Sequence, residues 1–315
     1  MANIATFDAA AVHAALPYDR LIPALREGFL QGAEVPVRHH HVVPRPGQYP
    51  GVLLLMPAWQ PGTVTGVKLV HICAGNERLG VPSVQGVYLL FDGPTGTPLA
   101  LLDGTALTLR RTAATSALAA SFLARPDATR LLVVGAGALG PNLARAHASV
   151  RPITEIAVWN RTPARAETVA AELAAEGFDA RAEPDLDAAL GWADIVTCAT
   201  MSRDPLVRGD RLRPGTHVDL VGAFAPDMRE SDDALMRRAH LVVDARDAAL
   251  AEAGDILQAI ASGAIDADAI RSDLFELVRG TGLGRPSAEA VTVFKSVGNA
   301  LEDLVAARLV AASQP

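Results

Sequence analysis

Apolar residues fall into short runs whose spacing changes along the chain. Asp8 ahead of Ala9–Val12 has the form of a helix cap, and Tyr18–Gly28 sets Leu21, Ile22 and Leu25 on one helical face, with Phe29 next along it. Val35–Val43 alternates as an extended segment. Gly51–Met56 and Thr65–Cys73 are predicted strands with a turn over Pro57–Gly62 between them. Tyr88–Phe91 and Leu99–Leu102 are further strands, and Asp92-Gly93, Thr95-Gly96 and Asp103-Gly104 mark turns. An alanine-rich helix is predicted to open at Arg110 and to end near Ala124, ahead of Pro126.

Beyond Pro126 the pattern becomes a regular alternation of buried strands with helices. Strands are expected at Leu131–Val134, Ile156–Trp159, Phe178–Ala182, Asp194–Thr200, His217–Ala223 and Leu241–Asp244, with helices at Pro163–Ala175, Asp185–Trp192 and Asp232–Ala239. That alternation predicts an α/β fold with a doubly wound parallel sheet, and the strand-rich first part predicts a separate mixed α/β domain. From Ser287, read as a cap, the segment through Val310 keeps a helical period. The expected division is residues 1–126 completed by a C-terminal helix over 298–315, and a dinucleotide-binding domain over 127–297.

Composition narrows the class without changing the fold. The 315 residues carry a net charge of −7, so no basic field favours nucleic acid. No apolar run reaches the length of a membrane span, and MANIATFDAA lacks a secretory pattern. Cys73 and Cys198 lie far apart in apolar stretches, as free thiols of a cytoplasmic protein do.

Candidate chemistry begins at Gly135-Ala136-Gly137-Ala138-Leu139-Gly140, a G-x-G-x-x-G between a buried strand and a helix. Gly135 allows the tight turn, Gly137 lets backbone approach a pyrophosphate, and Gly140 lets the helix pack on the strand. An acid at the end of the next strand would hold the ribose hydroxyls of NAD. The chain has Asn160-Arg161-Thr162 there, which suits a 2′-phosphate, so NADPH is expected, with NADH possible. Ligands of such sheets lie beyond the carboxyl ends of the strands, which brings Thr200, Ser202, Gly222 and Phe224 to the nicotinamide. In the first domain, Lys68 interrupts an apolar run, where burial would depress its pKa. Arg110, Arg111 and Thr112 at a helix start suggest an anion site. His39, His40 and His41 read as one polar strand segment, and no metal site is expected.

These motifs resemble the ornithine cyclodeaminase/μ-crystallin family. The similarity rests on RRTAATSALAA at Arg110–Ala120, VVGAGALG at Val133–Gly140, WNRTPARAE at Trp159–Glu167, PDMRESDD at Pro226–Asp233 and TVFKSVGNALED at Thr292–Asp303. The resemblance implies a homodimer and an α-imino or α-amino acid substrate. It matches Arg38 to the carboxylate-binding arginine, Lys68 to the active-site lysine and Arg111 to the arginine near substrate and cofactor phosphate, with Thr112 beside it. It also implies Met56 among the substrate contacts, and Ala138, Leu139, Lys295 and Ser296 among those to the cofactor. Cyclodeaminating members carry an aspartate where this chain has Phe224 in Gly222-Ala223-Phe224-Ala225-Pro226-Asp227, and a phenylalanine can neither move a proton nor pair with an ammonium. The expected activity is therefore NAD(P)H-dependent reduction of a cyclic ketimine to proline or pipecolate. Ornithine cyclodeamination, an alanine dehydrogenase-like reaction and NADPH-dependent ligand binding without turnover are the alternatives.

Overall fold

In this computed structural model Lys68 lies on the buried face of an antiparallel sheet, directly opposite Met56 on one side and Tyr88 on the other. The structure describes residues 4–313, the side chain of Glu77 excepted. Its first elements are β1 (Ala5–Phe7), α1 (Ala9–Ala15), α2 (Tyr18–Gln31), β2 (His39–Val43), β3 (Gly51–Gln60), β4 (Val64–Ile72), β5 (Val84–Asp92), β6 (Pro98–Asp103) and α3 (Gly104–Leu123). The parallel sheet is built from β7 (Arg130–Val134), α4 (Leu139–Val150), β8 (Glu155–Trp159), α5 (Pro163–Ala175), β9 (Asp179–Ala182), α6 (Leu186–Trp192), β10 (Ile195–Cys198) and β11 (His217–Leu220). It is completed by α7 (Asp233–Arg238), β12 (His240–Val243), α8 (Arg246–Glu252), α9 (Gly254–Ala261), β13 (Ile270–Asp273), α10 (Leu274–Arg279) and β14 (Thr292–Lys295), and α11 (Ala300–Ala311) closes the chain order.

The chain divides into two compact units, Met1–Thr112 with Asn299–Pro315, and Ala113–Gly298. The division falls inside α3, and the expected boundary at 126 lies just past the end of that helix at Leu123. The first unit is a six-stranded sheet in the order β1-β6-β5-β4-β3-β2, antiparallel except for the β1–β6 pair. Helix α11 lies across β3, β4 and β5 and against α2. It is buried on nearly all sides, which is why its sequence is apolar all round apart from Glu302, Asp303 and the exposed Arg308. Gly28 makes the close approach of α2 possible, since a Cβ there would stand 2.4 Å from Val305 Cγ2.

The second unit is an eight-stranded, wholly parallel sheet in the order β13-β12-β14-β11-β10-β7-β8-β9. Strands buried on both faces read as continuous apolar runs, as Leu131–Val134 and Ile195–Cys198 do.

Three expectations are corrected. β3 runs through Pro57 to Gln60, so the turn is shorter than Pro57–Gly62. The segment after Ser287 is not helical: Thr292–Lys295 is a central strand between β11 and β12, and the last helix starts at Ala300 behind the Asn299 cap. Asp103-Gly104 is a helix entry, with Asp103 Oδ1 accepting from Ala106 N at 2.8 Å, so α3 begins six residues before Arg110. Arg110, Arg111 and Thr112 are therefore interior to α3, where the backbone N–H groups are already bonded, and the helix-start anion site does not exist.

Candidate active site

Two clusters of buried charge stand out, one in each unit, and each is built around a lysine. Lys68 and Lys295 are the two lysines of the sequence; every other basic side chain apart from the histidines is an arginine.

In the first unit, Lys68 on β4 is 2% exposed. Its Nζ lies 2.7 Å from Asp303 Oδ2 on α11 and 3.5 Å from Thr108 Oγ1 on α3. Arg111, one turn beyond Thr108, donates through Nε to Asp303 Oδ1 at 3.0 Å and through Nη1 to Glu302 Oε2 at 2.6 Å. Glu302 also closes the capping box of its own helix by accepting from Asn299 N. Burial lowers the pKa of Lys68, and the neighbouring Arg111 charge adds to that pull. Asp303 and Glu302 push back, and the ammonium settles at a pKa of about 8. Burial would likewise raise Asp303, but the cations Arg111 and Lys68 outweigh it and hold the carboxyl below the usual range. Arg111 is pushed upward, since the carboxylates of Asp303 and Glu302 overcome its desolvation. Met56 and Tyr88 flank Lys68 across the strands, both buried. Arg38 stands next to β2 and is half-buried. Arg110 is structural: it stacks on Tyr18 at 3.9 Å and donates to Leu16 O.

In the second unit, β7 leads into Gly135 at φ 108°, a conformation that favours glycine. A Cβ at Gly135 would meet Ala199 O at 2.6 Å, and one at Gly140 would meet Gly135 O at 2.7 Å, so both are held by packing. Gly137 differs: a Cβ there would have nothing within 4 Å. That open space in front of the first turn of α4, together with the turn's glycines, fits a dinucleotide pyrophosphate. Asn160 braces the loop, accepting from Ala136 N at 3.1 Å and donating to Thr162 O at 3.0 Å, while Arg161 and Thr162 are exposed. A cavity of about 610 Å³ at the end of β8 is lined by Trp159, Pro184, Leu186 and Leu206 and by the charged Asp185, Asp187 and Arg208.

The loops that follow β10, β11, β12 and β14 are tied by three buried carboxylates. Glu230 accepts from Thr200 N, Thr200 Oγ1, Gly222 N and Ala223 N; Asp255 accepts from Glu230 N and Ser231 N; Asp244 accepts from Val297 N and Gly298 N. Burial raises Glu230 to about 7 against the pull of Lys295. Lys295 was expected at the cofactor. It has no exposed surface, and its ammonium faces Asp255 at 3.4 Å, so the structure gives it a carboxylate partner instead. Gly222 has a packing reason as well, since a Cβ would lie 2.0 Å from Thr200 O. Ser202 Oγ donates to Asp204 O, and Ser296 is buried with its N–H on Leu220 O. Phe224 is 45% exposed. The carboxylates Asp303, Glu302, Glu230, Asp244 and Asp255 were missed in the sequence.

Among the described residues, no three His, Cys, Asp or Glu side chains meet as a metal site, and no helix is long and apolar enough to cross a membrane. His39 and His41 share a strand face at 6.2 Å, edge to face.

The ornithine cyclodeaminase/mu-crystallin family matches residues 5–314, and the chain belongs to it. It is 45% identical over 262 residues to a Δ1-pyrroline-2-carboxylate reductase of Paracoccus denitrificans, covering 83% of each chain. It is 39% identical over 296 residues to the ketimine reductase mu-crystallin of Rattus norvegicus, covering 93% of this chain and 90% of that one. Among solved structures it superposes on Δ1-pyrroline-2-carboxylate reductase of Thermococcus litoralis, in complex with NADH and L-proline, with a TM-score of 0.92 and 33% identity over 98% of this chain and 97% of the other.

Proposed function

We propose that the chain catalyses NAD(P)H-dependent reduction of a cyclic ketimine, Δ1-pyrroline-2-carboxylate or Δ1-piperideine-2-carboxylate, to L-proline or L-pipecolate. The observation that carries this reading is the buried Lys68–Arg111 pair, fixed by Asp303 and Glu302, in a chain so similar to reductases of that substrate class. An interior lysine with a pKa of about 8 is suited to hand over a proton near neutral pH.

Arg38 and Arg111 bind the substrate carboxylate, and Arg111 acts as a fixed charge because two of its nitrogens are already held. Met56 and Phe224 supply apolar contacts for ring carbons. When bound, a reduced nicotinamide dinucleotide supplies the hydride that adds to C2. Lys68 delivers a proton to the ring nitrogen, the C=N bond becomes C–N, and the lysine regains its proton from solvent. Much of the rate gain comes from holding C2 in place.

The glycine turn, with Ala138, Leu139 and Thr112, takes the phosphates. Asn160, Arg161 and Thr162 favour NADP(H) while admitting NADH, and the cavity beside Trp159 takes the adenine end. Thr200, Ser202, Gly222 and Ser296 line the nicotinamide end, where Glu230 and Asp244 fix the backbone. The protein works as a cytoplasmic homodimer. Support for the dimer is the half-exposed apolar face of the first sheet, where Val87 and Leu99 are 39% and 41% exposed.

The test is steady-state oxidation of NADPH and of NADH with Δ1-pyrroline-2-carboxylate, run beside pyruvate plus ammonia and beside L-ornithine. Turnover of the cyclic imine with no ammonia released from ornithine is expected. Cofactor binding without oxidation would turn the assignment to a ligand-binding protein.

A further inference from the structure

We infer that Asp303, on the C-terminal helix, is a positioning residue that holds the Lys68 ammonium at one point and keeps it charged for proton delivery; this rests on the reading of Lys68 as proton donor. One carboxylate spans both cations, with Oδ2 2.7 Å from Lys68 Nζ and Oδ1 3.0 Å from Arg111 Nε, so the two cannot shift independently. Glu302 takes Arg111 Nη1 at 2.6 Å and is itself anchored by Asn299 N, which fixes the guanidinium at a second point. Thr108 gives its hydroxyl proton to Gly104 O at 2.7 Å and so can only accept from Lys68. Tyr88, opposite Lys68 on β5, is kept neutral by burial and by the Asp303 charge. Met56, opposite on β3, is apolar. Among the described residues, Asp303 is thus the one carboxylate within 4 Å of Nζ.

The groups around Lys68 divide by sign. Burial and Arg111 favour the neutral amine; Asp303 and, behind it, Glu302 favour the ammonium. Without Asp303 the first pair is opposed by Glu302 alone, and Lys68 loses its proton at the pH where it has to donate one. Lysine is the residue for this task. An arginine in its place would stay charged and could release no proton, and arginine serves at nearly all other basic positions of the chain.

Because the chain has two lysines, carbon-13 labelling at lysine Cε gives two resonances, and Lys295 serves as an internal monitor of the fold. In the wild-type holoenzyme the Lys68 signal is expected to titrate near pH 8. The Asp303 carboxyl carbon, labelled in turn, should shift over the same interval. In Asp303→Asn the Lys68 midpoint should fall by roughly one pH unit or more, and the basic limb of kcat/KM for ketimine reduction should fall with it. Asp303→Glu keeps the charge but moves it by a methylene. It should hold the midpoint within about half a pH unit while lowering kcat by roughly tenfold or more. A Lys68 midpoint unchanged in folded Asp303→Asn overturns the inference. So does a loss of kcat with an unshifted pH limb, or a wild-type Asp303 carbon that ignores the lysine titration. If the resonances behave as expected while the wild type reduces no ketimine, the assigned activity fails and the role of Asp303 in setting Lys68 stands.

Discussion

Gly66 lies beneath the hydroxyl of Tyr88: a Cβ at position 66 would stand 2.1 Å from the phenolic oxygen. The tyrosine has no exposed surface to withdraw into, so the missing side chain on β4 is what lets it lie beside Lys68. Gly66→Ala is expected to cost about 1–3 kcal/mol through overpacking and to lower Tm by several degrees. Thermal unfolding read by circular dichroism checks it; a Tm equal to wild type would mean that the ring has room to move.

The glycines of the second unit should separate by experiment. Gly137 faces open space, so Gly137→Val should leave Tm nearly unchanged while weakening NADPH binding by roughly tenfold or more, since the side chain would fill the phosphate cradle. Gly222→Ala should instead lower Tm, because its Cβ would collide with Thr200 O at 2.0 Å, and any loss of NADPH affinity should come together with that loss of stability. Calorimetric titration with NADPH, paired with thermal unfolding, distinguishes them. Equal effects of the two substitutions on affinity and stability would refute the assignment.

Glu230 makes stability depend on pH in a defined direction. Its folded pKa is raised from 4.5 to about 7, so between those values the unfolded chain has released a proton that the folded chain retains. Folding is then favoured at the acid end of the window and loses that contribution as pH rises through about 7. In Glu230→Gln this part of the slope should vanish, leaving the acidic end least affected. Denaturant unfolding of both proteins at several pH values from 5 to 8 measures the difference. The same substitution loosens the N–H bonds to Thr200, Gly222 and Ala223, and cofactor KM should rise.

Arg161 tests the cofactor preference. A charge-assisted bond to a 2′-phosphate contributes about 1.5–3 kcal/mol, so Arg161→Ala should raise KM for NADPH by roughly ten- to a hundredfold and leave NADH nearly untouched. Its exposed position predicts little change in stability. Equal losses with both cofactors would remove the basis for preferring NADP(H).

The parts of the chain that could be read from the sequence were those with local punctuation. Helix α5 was legible from Pro163 at its first turn, and α6 and α7 from the caps Asp185 and Asp232. β14 was misread because VTVF is buried on both faces and sits directly before a true helix, so an apolar run carried no period to separate the two. The start of α3 was missed because Asp-Gly signals a turn as readily as a cap. Lys68 and Arg111 could be suspected as charges in apolar surroundings. Their partners could not, since Arg111 and Asp303 are 192 residues apart and nothing local in NALEDL distinguishes a buried carboxylate from a solvated one.

The order in which the chain is made has a consequence for that pairing. Helix α11 is translated after the whole of the second unit, yet it carries both counter-charges of the first. While the ribosome is still adding the parallel sheet, Lys68 on β4 and Arg111 on α3 lack Asp303 and Glu302, and a core whose buried cations are short of those counter-charges is not a stable one. The first unit is complete only when α11 arrives, so a chain that ends before it holds Lys68 and Arg111 without the two carboxylates that face them in the finished fold.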